Sequence, residues 1–401
     1  KRFCFSPHEL EAIIGTSQGR DSDNGKHQSW CEKCGLIPSG VPESSLLTIY
    51  PPPTGPRVAS PTLPARQTLR PLPMNSPTSL RFHPNTRRLL ACLLPIVAVL
   101  GAPAGRAAAS LAVPLVVSEP GDGPRHAFPA SASVPLPRGL VREPGGLWLA
   151  APDRHATLLQ TGVLGRWPDG SLRWIHLDFL ADVPAGGHAT YTLHDGKAPP
   201  IGPSAHLRSE VRQGARAIDT GRLHATVPLR GDALWTDVHV DGHHLGTLPL
   251  PALTIEGRPA VAASPADLQV EADGPVRAEL LYTGRYAAGL TYELRVSFFA
   301  GQSFVRLEHT VTSVSDDPYL RLRSLALSLP GAFETGAVGI DGVERTLATL
   351  EPPHTLFQAE ADVAILDDGP PRRRADGWAR AVGDGVAVTL VAPYFWQEYP
   401  K

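Results

Sequence analysis

The chain has 401 residues, of which 42% are hydrophobic, and its 37 Lys and Arg residues nearly balance its 39 Asp and Glu residues. The formal net charge of −2, with no long run of one sign, gives no indication of nucleic-acid or membrane-surface binding. The length leaves room for more than one domain.

The first 73 residues have the composition of an extension. The stretch Val41–Pro73 is dense in Pro, Ser and Thr and has little apolar surface to bury, as in disordered segments. Within "SPHELEAIIG", a capping box of Ser6 and Glu9 and a stop at Gly15 predict one short helix. We therefore expect residues 1–73 to be a disordered extension, and mistranslation upstream of the true start is an open alternative.

The segment that begins at Met74, the single methionine, has the three parts of a secretion signal. Three arginines precede an unbroken apolar run, Leu89–Leu100, which has the length of a signal-peptide core and is too short to span a bilayer. Ala107–Ala109 supplies the small side chains that a signal peptidase requires. The alternative, a buried helix, is disfavoured by Pro95. We expect a signal peptide at 74–109, with Sec or twin-arginine export, a secreted or periplasmic product, and no membrane association after cleavage.

All four cysteines, Cys4, Cys31, Cys34 and Cys92, lie at or before the end of this signal. Cys31 and Cys34 form a CxxC pair, which is half of a zinc site, a redox pair, or an accidental pair in a disordered extension. Structural zinc needs four ligands, and no second pair follows at finger spacing. We expect the exported segment to carry no disulfide, no metal and no cofactor.

The remainder, from Ser110 to Lys401, has the periodicity of strands. In "GRWPDGSLRWIHLDFLADV", a Pro-Asp-Gly turn separates two alternating runs. After this turn, three apolar residues share one face and three polar or amphipathic residues share the other. The first set is Ile175, Leu177 and Phe179, and the second set is Trp174, His176 and Asp178.

Further strands follow the same rule, and no sustained helical spacing is present. Tyr292, Leu294, Val296 and Phe298 are predicted to share one face, as are Val305, Leu307, His309 and Val311, with Gly301-Gln302 as the hairpin. The Gly- and Pro-rich stretch His194–Ala205 reads as a linker. The sequence therefore predicts an all-β protein: a small barrel at 110–200 and a larger β-sandwich at 205–401.

The densest polar cluster is "WTDVHVDGHHLG". Asp237, His239 and Asp241 alternate and would project together, while His243 and His244 adjoin an Asp-Gly turn. Two interpretations remain open: a metal or sugar contact, or a solvated hairpin with its polar residues outward. The basic stretch "PPRRRADGW" (Pro370–Trp378) is similarly open between an acidic-polysaccharide contact and a solvated loop.

Six segments in order identify a family resemblance: "VPLPRG", "GRWPDGSLRWIHLDFLADVPAG", "TGRLHATV", "GPVRAELLYTG", "FFAGQSFVRLEHT" and "GWARAVGDGVAVTLVAPYFWQEYPK". Together they resemble the exo-rhamnogalacturonan lyase-like family of secreted proteins. The resemblance implies a RIFT-type barrel, a central β-sandwich and then an α/α toroid. No toroid sequence is present before Lys401, so we expect a fragment whose partner is the missing C-terminal helical domain of the same chain.

The resemblance also implies a chemistry, the β-elimination of a pectic uronic acid. Such a site needs a cation beside the carboxylate and a base for the C5 proton. Because only Lys197 and Lys401 are lysines in this segment, Arg and His would have to serve. The resemblance assigns no catalytic residue here. Candidate carbohydrate contacts are Trp235, His239, His243, His244, Arg285 and Tyr394.

Two functions follow from this interpretation. The first is the front part of an exported polysaccharide lyase-like protein that acts on acidic rhamnogalacturonan, with these two domains themselves non-catalytic. The alternative is a complete secreted glycan-binding or structural β-protein without enzymatic activity.

Overall fold

A computed structural model describes residues 110–202, 204–255, 260–262, 266–287, 289–314, 322–329, 331–383, 385–393 and 395–397, together with the backbone of three upstream strands. The one helical turn in this part of the chain is a 3-10 turn at Pro144–Gly146. The prediction of an all-β protein is therefore confirmed. No helix among these residues is long and apolar enough to cross a membrane. The predicted signal peptide and the CxxC pair lie outside the described residues.

Strands are numbered in chain order. The upstream strands are β1 (Phe3–Cys4), β2 (His8–Thr16) and β3 (Ile49–Tyr50). The strands of the first domain are β4 (Ala112–Ser118), β5 (Arg125–Pro135), β6 (Leu147–Ala150), β7 (Ala156–Thr157), β8 (Leu159–Arg166), β9 (Leu172–Val183) and β10 (His188–Asp195).

The first domain packs two antiparallel sheets around one core. One sheet has the order β3–β4–β10–β6–β7 and the other β5–β9–β8. The core is apolar, and its most enclosed members are Leu115, Val117, Leu149, Leu177, Phe179, Tyr191 and Leu193. The two faces of β9 are as predicted, because Ile175, Leu177 and Phe179 are buried in this core.

The tight turn between β8 and β9 is held by Asp169. Its Oδ1 accepts hydrogen bonds from the backbone N–H of Ser171, at 3.0 Å, and from the Ser171 hydroxyl. These hydrogen bonds lower the pKa of Asp169 to about 2. Gly170, with φ at +82°, supplies the left-handed backbone that the turn needs.

The second domain contains the remaining strands. They are β11 (Arg208–Arg212), β12 (Ala215–Asp219), β13 (Leu223–Pro228), β14 (Arg230–Gly231), β15 (Ala233–Trp235), β16 (Asp237–Val240), β17 (His243–His244), β18 (Leu248–Pro249), β19 (Ala252–Ile255), β20 (Ala260–Ala262), β21 (Ala266–Asp273), β22 (Arg277–Tyr286), β23 (Leu290–Phe299), β24 (Phe304–Ser313), β25 (Leu322–Ala326), β26 (Thr335–Ile340), β27 (Val343–Leu347), β28 (Leu356–Glu360), β29 (Val363–Leu366), β30 (Ala375–Gly383) and β31 (Val386–Val391).

A β-sandwich core lies between the two main sheets of this domain. The larger sheet has the order β14–β21–β22–β23–β24–β2–β31–β30–β26–β27, and the smaller has the order β11–β12–β13–β16–β17. Both contribute to one apolar cluster, which includes Ile218, Val227 and Val240 from the smaller sheet and Leu280, Tyr292 and Phe298 from the larger. The hairpin predicted at Gly301-Gln302 joins β23 to β24.

The helix predicted within Ser6–Gly15 is wrong. Residues His8–Thr16 form strand β2, which pairs antiparallel with β24 on one side and with β31 on the other. A capping box stabilises a short helix only weakly. Two neighbouring strands offer backbone partners along both edges of β2, and this tertiary pairing outweighs the local signal.

Candidate functional site

Three polar side chains meet on the hairpin of β16 and β17. Oδ1 of Asp237 lies 3.1 Å from Nε2 of His239 and 3.0 Å from Nε2 of His244. The centroids of the two imidazole rings are 4.9 Å apart. All three side chains are accessible to solvent. The hairpin therefore presents one carboxylate and two imidazoles at a single point of the sandwich surface.

The register of the hairpin produces this cluster. His239 and His244 are direct partners across the two strands, and Asp237 precedes His239 by two residues. All three therefore project from one face of the sheet. Val238 and Val240 alternate with them and are buried in the sandwich core. The apolar residues thus fix which face the polar residues occupy.

A two-residue turn closes this hairpin. Asp241 and Gly242 have φ values of 46° and 87°, as a type I′ turn requires. The guanidinium of Arg222 holds the turn by pairing with the carboxylate of Asp241 at 2.6 Å. His243 lies beside Gly385, where an added Cβ would be 3.4 Å from its Cε1. His243 is not part of the Asp237 cluster.

A groove of about 290 Å³ lies on the same sheet. Asp237 and His239 belong to its lining, which also includes Arg208, Arg212, Asp219 and His224. The Nη2 of Arg212 pairs with Glu210 at 2.6 Å, and Nδ1 of His224 lies 3.4 Å from Asp219. Arginines, histidines and carboxylates therefore all line the groove.

The other predicted carbohydrate contacts do not gather at this cluster. Trp235 is 3% exposed within the sandwich core, so its assignment as a surface contact is wrong. Arg285 is exposed on β22, a strand of the larger sheet. Tyr394 lies outside the described residues. Of the six candidates, the structure brings together His239 and His244, and it adds Asp237 to them.

The basic stretch Pro370–Trp378 is anchored to the rest of the sandwich. The backbone groups of Arg372 and Ala364 exchange two hydrogen bonds, at 2.7 and 2.8 Å. The guanidinium of Arg374 lies 3.8 Å from the ring centroid of Trp396, a cation–π contact. Contact between this stretch and an acidic polysaccharide stays a prediction.

The second face of β9 leads from solvent into the junction between barrel and sandwich. Trp174 is 40% exposed, His176 is half-buried, and the Asp178 side chain is 5% exposed. Small residues flank His176 on both neighbouring strands, because its register partners are Ser133 and Gly162. The strip Trp174–His176–Asp178 is therefore exposed to solvent at Trp174 and buried at Asp178.

Arg277, the first residue of β22 in the sandwich, lies against the buried end of this strip. Its Nε lies 3.2 Å from Oδ1 of Asp178, its Nη1 donates to Glu279 at 2.5 Å, and its Nη2 is 3.4 Å from Nε2 of His176. Gln160 adds a second link, because its amide bonds the backbone N–H and carbonyl of Arg277 at 2.8 and 3.0 Å. The junction between the two domains is thus polar and charge-paired.

The pKa of Asp178 reflects this setting. Burial alone would raise it, but the hydrogen bond with His176, the charge of Arg277 and the Ser131 hydroxyl hold the pKa of Asp178 below its ordinary value. The Ser131 hydroxyl donates to the carboxylate at 2.6 Å. Asp178 is therefore an ionised carboxylate whose Oδ1 contacts Ser131, His176 and Arg277.

The end of the β8–β9 hairpin carries a basic and apolar surface. Four exposed arginines lie there with two carboxylates, and Leu164 and Trp174 are exposed on the same two strands. The arginines are Arg138, Arg142, Arg166 and Arg173, and the carboxylates are Glu143 and Asp169. The sequence predicted the turn itself but not this surface. The concentration of Arg and Trp around "RWPDGSLRW" is the signal that could have indicated it.

These features define a two-domain all-β protein with a RIFT-type barrel in front of a β-sandwich. Residues 120–195 match the family model described as the PcRGLX-like N-terminal RIFT barrel domain. This match to the first domain confirms the resemblance to exo-rhamnogalacturonan lyase-like proteins. The chain is also similar to the protein named "Uncharacterized protein YetA" of Bacillus subtilis (strain 168), with 24% identity over 194 residues. That match covers 44% of this chain and 22% of YetA, so the chain matches less than a quarter of its relative's length.

Proposed function

We propose that the barrel and sandwich are the glycan-binding, non-catalytic part of an exported polysaccharide lyase-like protein that acts on pectic rhamnogalacturonan by β-elimination. The observation that carries this proposal is the exposure of Trp174 at the basic end of a barrel domain whose family is named for such a lyase. The proposed ligand is an acidic polysaccharide.

The chemistry of this surface suits an acidic sugar chain. The flat ring of Trp174 offers an apolar platform for the C–H face of a sugar ring, and its burial on binding is favourable. Trp174 is the register partner of Gly165, a residue without a side chain to cover the ring. Two exposed arginines of the same hairpin, Arg166 and Arg173, would donate charge-assisted hydrogen bonds to uronate carboxylates. To do so, Arg166 would exchange its contact with Glu143, and Arg173 its contact with the ring of Trp167.

The non-catalytic role rests on how Arg277 and His176 are used. β-Elimination needs a base near the C5 proton and a cation free to neutralise the sugar carboxylate. At the junction of the two domains, the side chains of Arg277 and His176 both already contact the carboxylate of Asp178. We therefore assign proton abstraction to another part of the whole protein, for which the family architecture implies a helical toroid.

Binding of the full chain to rhamnogalacturonan and to a neutral glucan tests this proposal by affinity electrophoresis or calorimetry. Saturable binding of the acidic polymer is expected, and Trp174→Ala weakens it about 10-fold, the equivalent of about 1.4 kcal/mol. Phe357→Ala is the matched control, because Phe357 is an aromatic residue that is also 40% exposed but lies on the sandwich. Equal binding of both polymers, or equal loss in both variants, would refute the assigned surface.

A further inference from the structure

The geometry points to a divalent transition-metal site formed by Asp237, His239 and His244. Their donor atoms all lie within 4.8 Å of one another, and the carboxylate oxygen is 3.0 and 3.1 Å from the two Nε2 atoms. A tetrahedral zinc ion with bonds of about 2.0–2.1 Å separates its ligand atoms by about 3.3 Å. Small side-chain rotations would therefore bring all three atoms to bonding distance. This inference is independent of the glycan-binding proposal and replaces the expectation of no metal in this segment.

The backbone prepares this arrangement before any ion arrives. His239 and His244 are paired across the hairpin, and the type I′ turn fixes their register. Val238 and Val240 hold the strand by their burial in the core. Ligands on a paired hairpin lose little conformational freedom on binding, which favours affinity.

The donor set selects the class of ion. Two imidazoles and one carboxylate suit zinc, cobalt, nickel or copper, whereas calcium and magnesium prefer oxygen ligands throughout. Asp241, the nearest other carboxylate in the hairpin, is engaged by Arg222 at 2.6 Å. Three protein ligands leave at least one coordination position for water or another small ligand.

The cluster of Asp237, His239 and His244 adjoins the groove described above. Asp237 and His239 line the groove that also contains Arg208 and Arg212, so an ion bound to them would lie at the edge of this groove. An anionic oxygen donor in the groove could complete the coordination sphere. The site thus resembles a ligand-exchanging centre more than a closed structural one.

Metal titration of the chelator-treated 401-residue chain tests the inference. The Cys31–Cys34 pair is a competing ligand set, so the titrations use a Cys31→Ser/Cys34→Ser background. One equivalent of zinc is expected to bind, and cobalt is expected to give the visible absorption of a low-coordinate nitrogen- and oxygen-ligated ion. Calcium is expected not to compete.

Single replacements assign the ligands. His239→Gln, His244→Gln and Asp237→Asn are each expected to weaken zinc binding by at least about 10-fold, on the scale that loss of even supporting partners produces. His243→Gln, the adjacent histidine outside the cluster, should leave affinity unchanged. Thermal unfolding without metal checks that each variant is folded. Absence of zinc binding in the background chain, or unchanged affinity in a His239→Gln/His244→Gln double variant that stays folded, would overturn the inference.

Discussion

The Nε of Arg277, on the first residue of a sandwich strand, lies 3.2 Å from the carboxylate of Asp178, on a barrel strand. Asp178 is nearly enclosed and also bonds Ser131 and His176. A buried carboxylate is tolerated only when its charge and lone pairs are satisfied. The guanidinium of Arg277 in the sandwich therefore neutralises the charge of Asp178 in the barrel. The two domains stabilise each other at this contact.

Replacement of Arg277 by Gln is expected to destabilise the protein by about 3 kcal/mol, because it leaves the Asp178 charge buried without its cation. Chemical denaturation measures the free energy of unfolding. Arg212→Gln is the control: Arg212 pairs with Glu210 at 2.6 Å in a setting far more exposed than the junction, and its replacement should cost less than about 1 kcal/mol. Equal losses in the two variants would show that the junction pair is no stronger than a surface pair.

Asp178 also predicts a pH dependence. Its pKa in the folded state lies below the ordinary value of 3.8, so its contribution to stability is fully present above that value and is lost as pH falls through the folded pKa. The difference in unfolding free energy between the wild type and Asp178→Asn should thus be constant near neutral pH and shrink below pH 3.8. Urea titrations across this range measure it. A difference that grows on acidification would contradict the assignment.

In the sandwich core, the Tyr286 hydroxyl lies 3.2 Å from the carbonyl oxygen of Pro251 and 3.2 Å from Nε2 of His309. Burial raises the pKa of this phenol, which therefore stays neutral. Tyr286→Phe keeps the ring but removes both contacts, and we expect a loss of about 1–2 kcal/mol in unfolding free energy. Unchanged stability by thermal and urea unfolding would mean that these contacts contribute nothing.

Several parts of this structure follow from local pattern. Alternation placed Ile175, Leu177 and Phe179 in the barrel core and Trp174, His176 and Asp178 on the opposite face. The Asp-Gly turn likewise indicated the hairpin that carries His239 and His244. Both succeed because the period of a strand and the demands of a type I′ turn are local properties.

Other parts depend on contacts that no local pattern contains. Strict alternation would put Trp235 on the same face as Asp237 and His239, but β15 ends at Trp235 and β16 begins at Asp237 with a different partner. The break reverses the phase, and Trp235 turns into the core. The pairing of Arg277 with Asp178 is similarly hidden, since it joins two domains.

The first residue of the protein made in its natural host will show whether the upstream region is removed or retained. Cleavage after Ala109 would remove β2 and leave β24 and β31 without the strand between them. Our export proposal predicts that intact-mass and N-terminal analysis of protein from the natural host will show a chain that begins at Ser110. A product that retains His8–Thr16 would contradict export by this signal and would keep β2 in the sheet.

The most direct measurement is oxidative footprinting of the full chain, with and without rhamnogalacturonan oligosaccharides, read at single residues by mass spectrometry. We expect saturating oligosaccharide to protect Trp174 from oxidation and to leave Phe357, which is equally exposed, unchanged. Carboxyl-reduced oligosaccharides should protect Trp174 less, because they lack the charge that the arginines bind. Saturable binding without protection of Trp174, or no binding at all, would contradict glycan binding at this surface of the barrel.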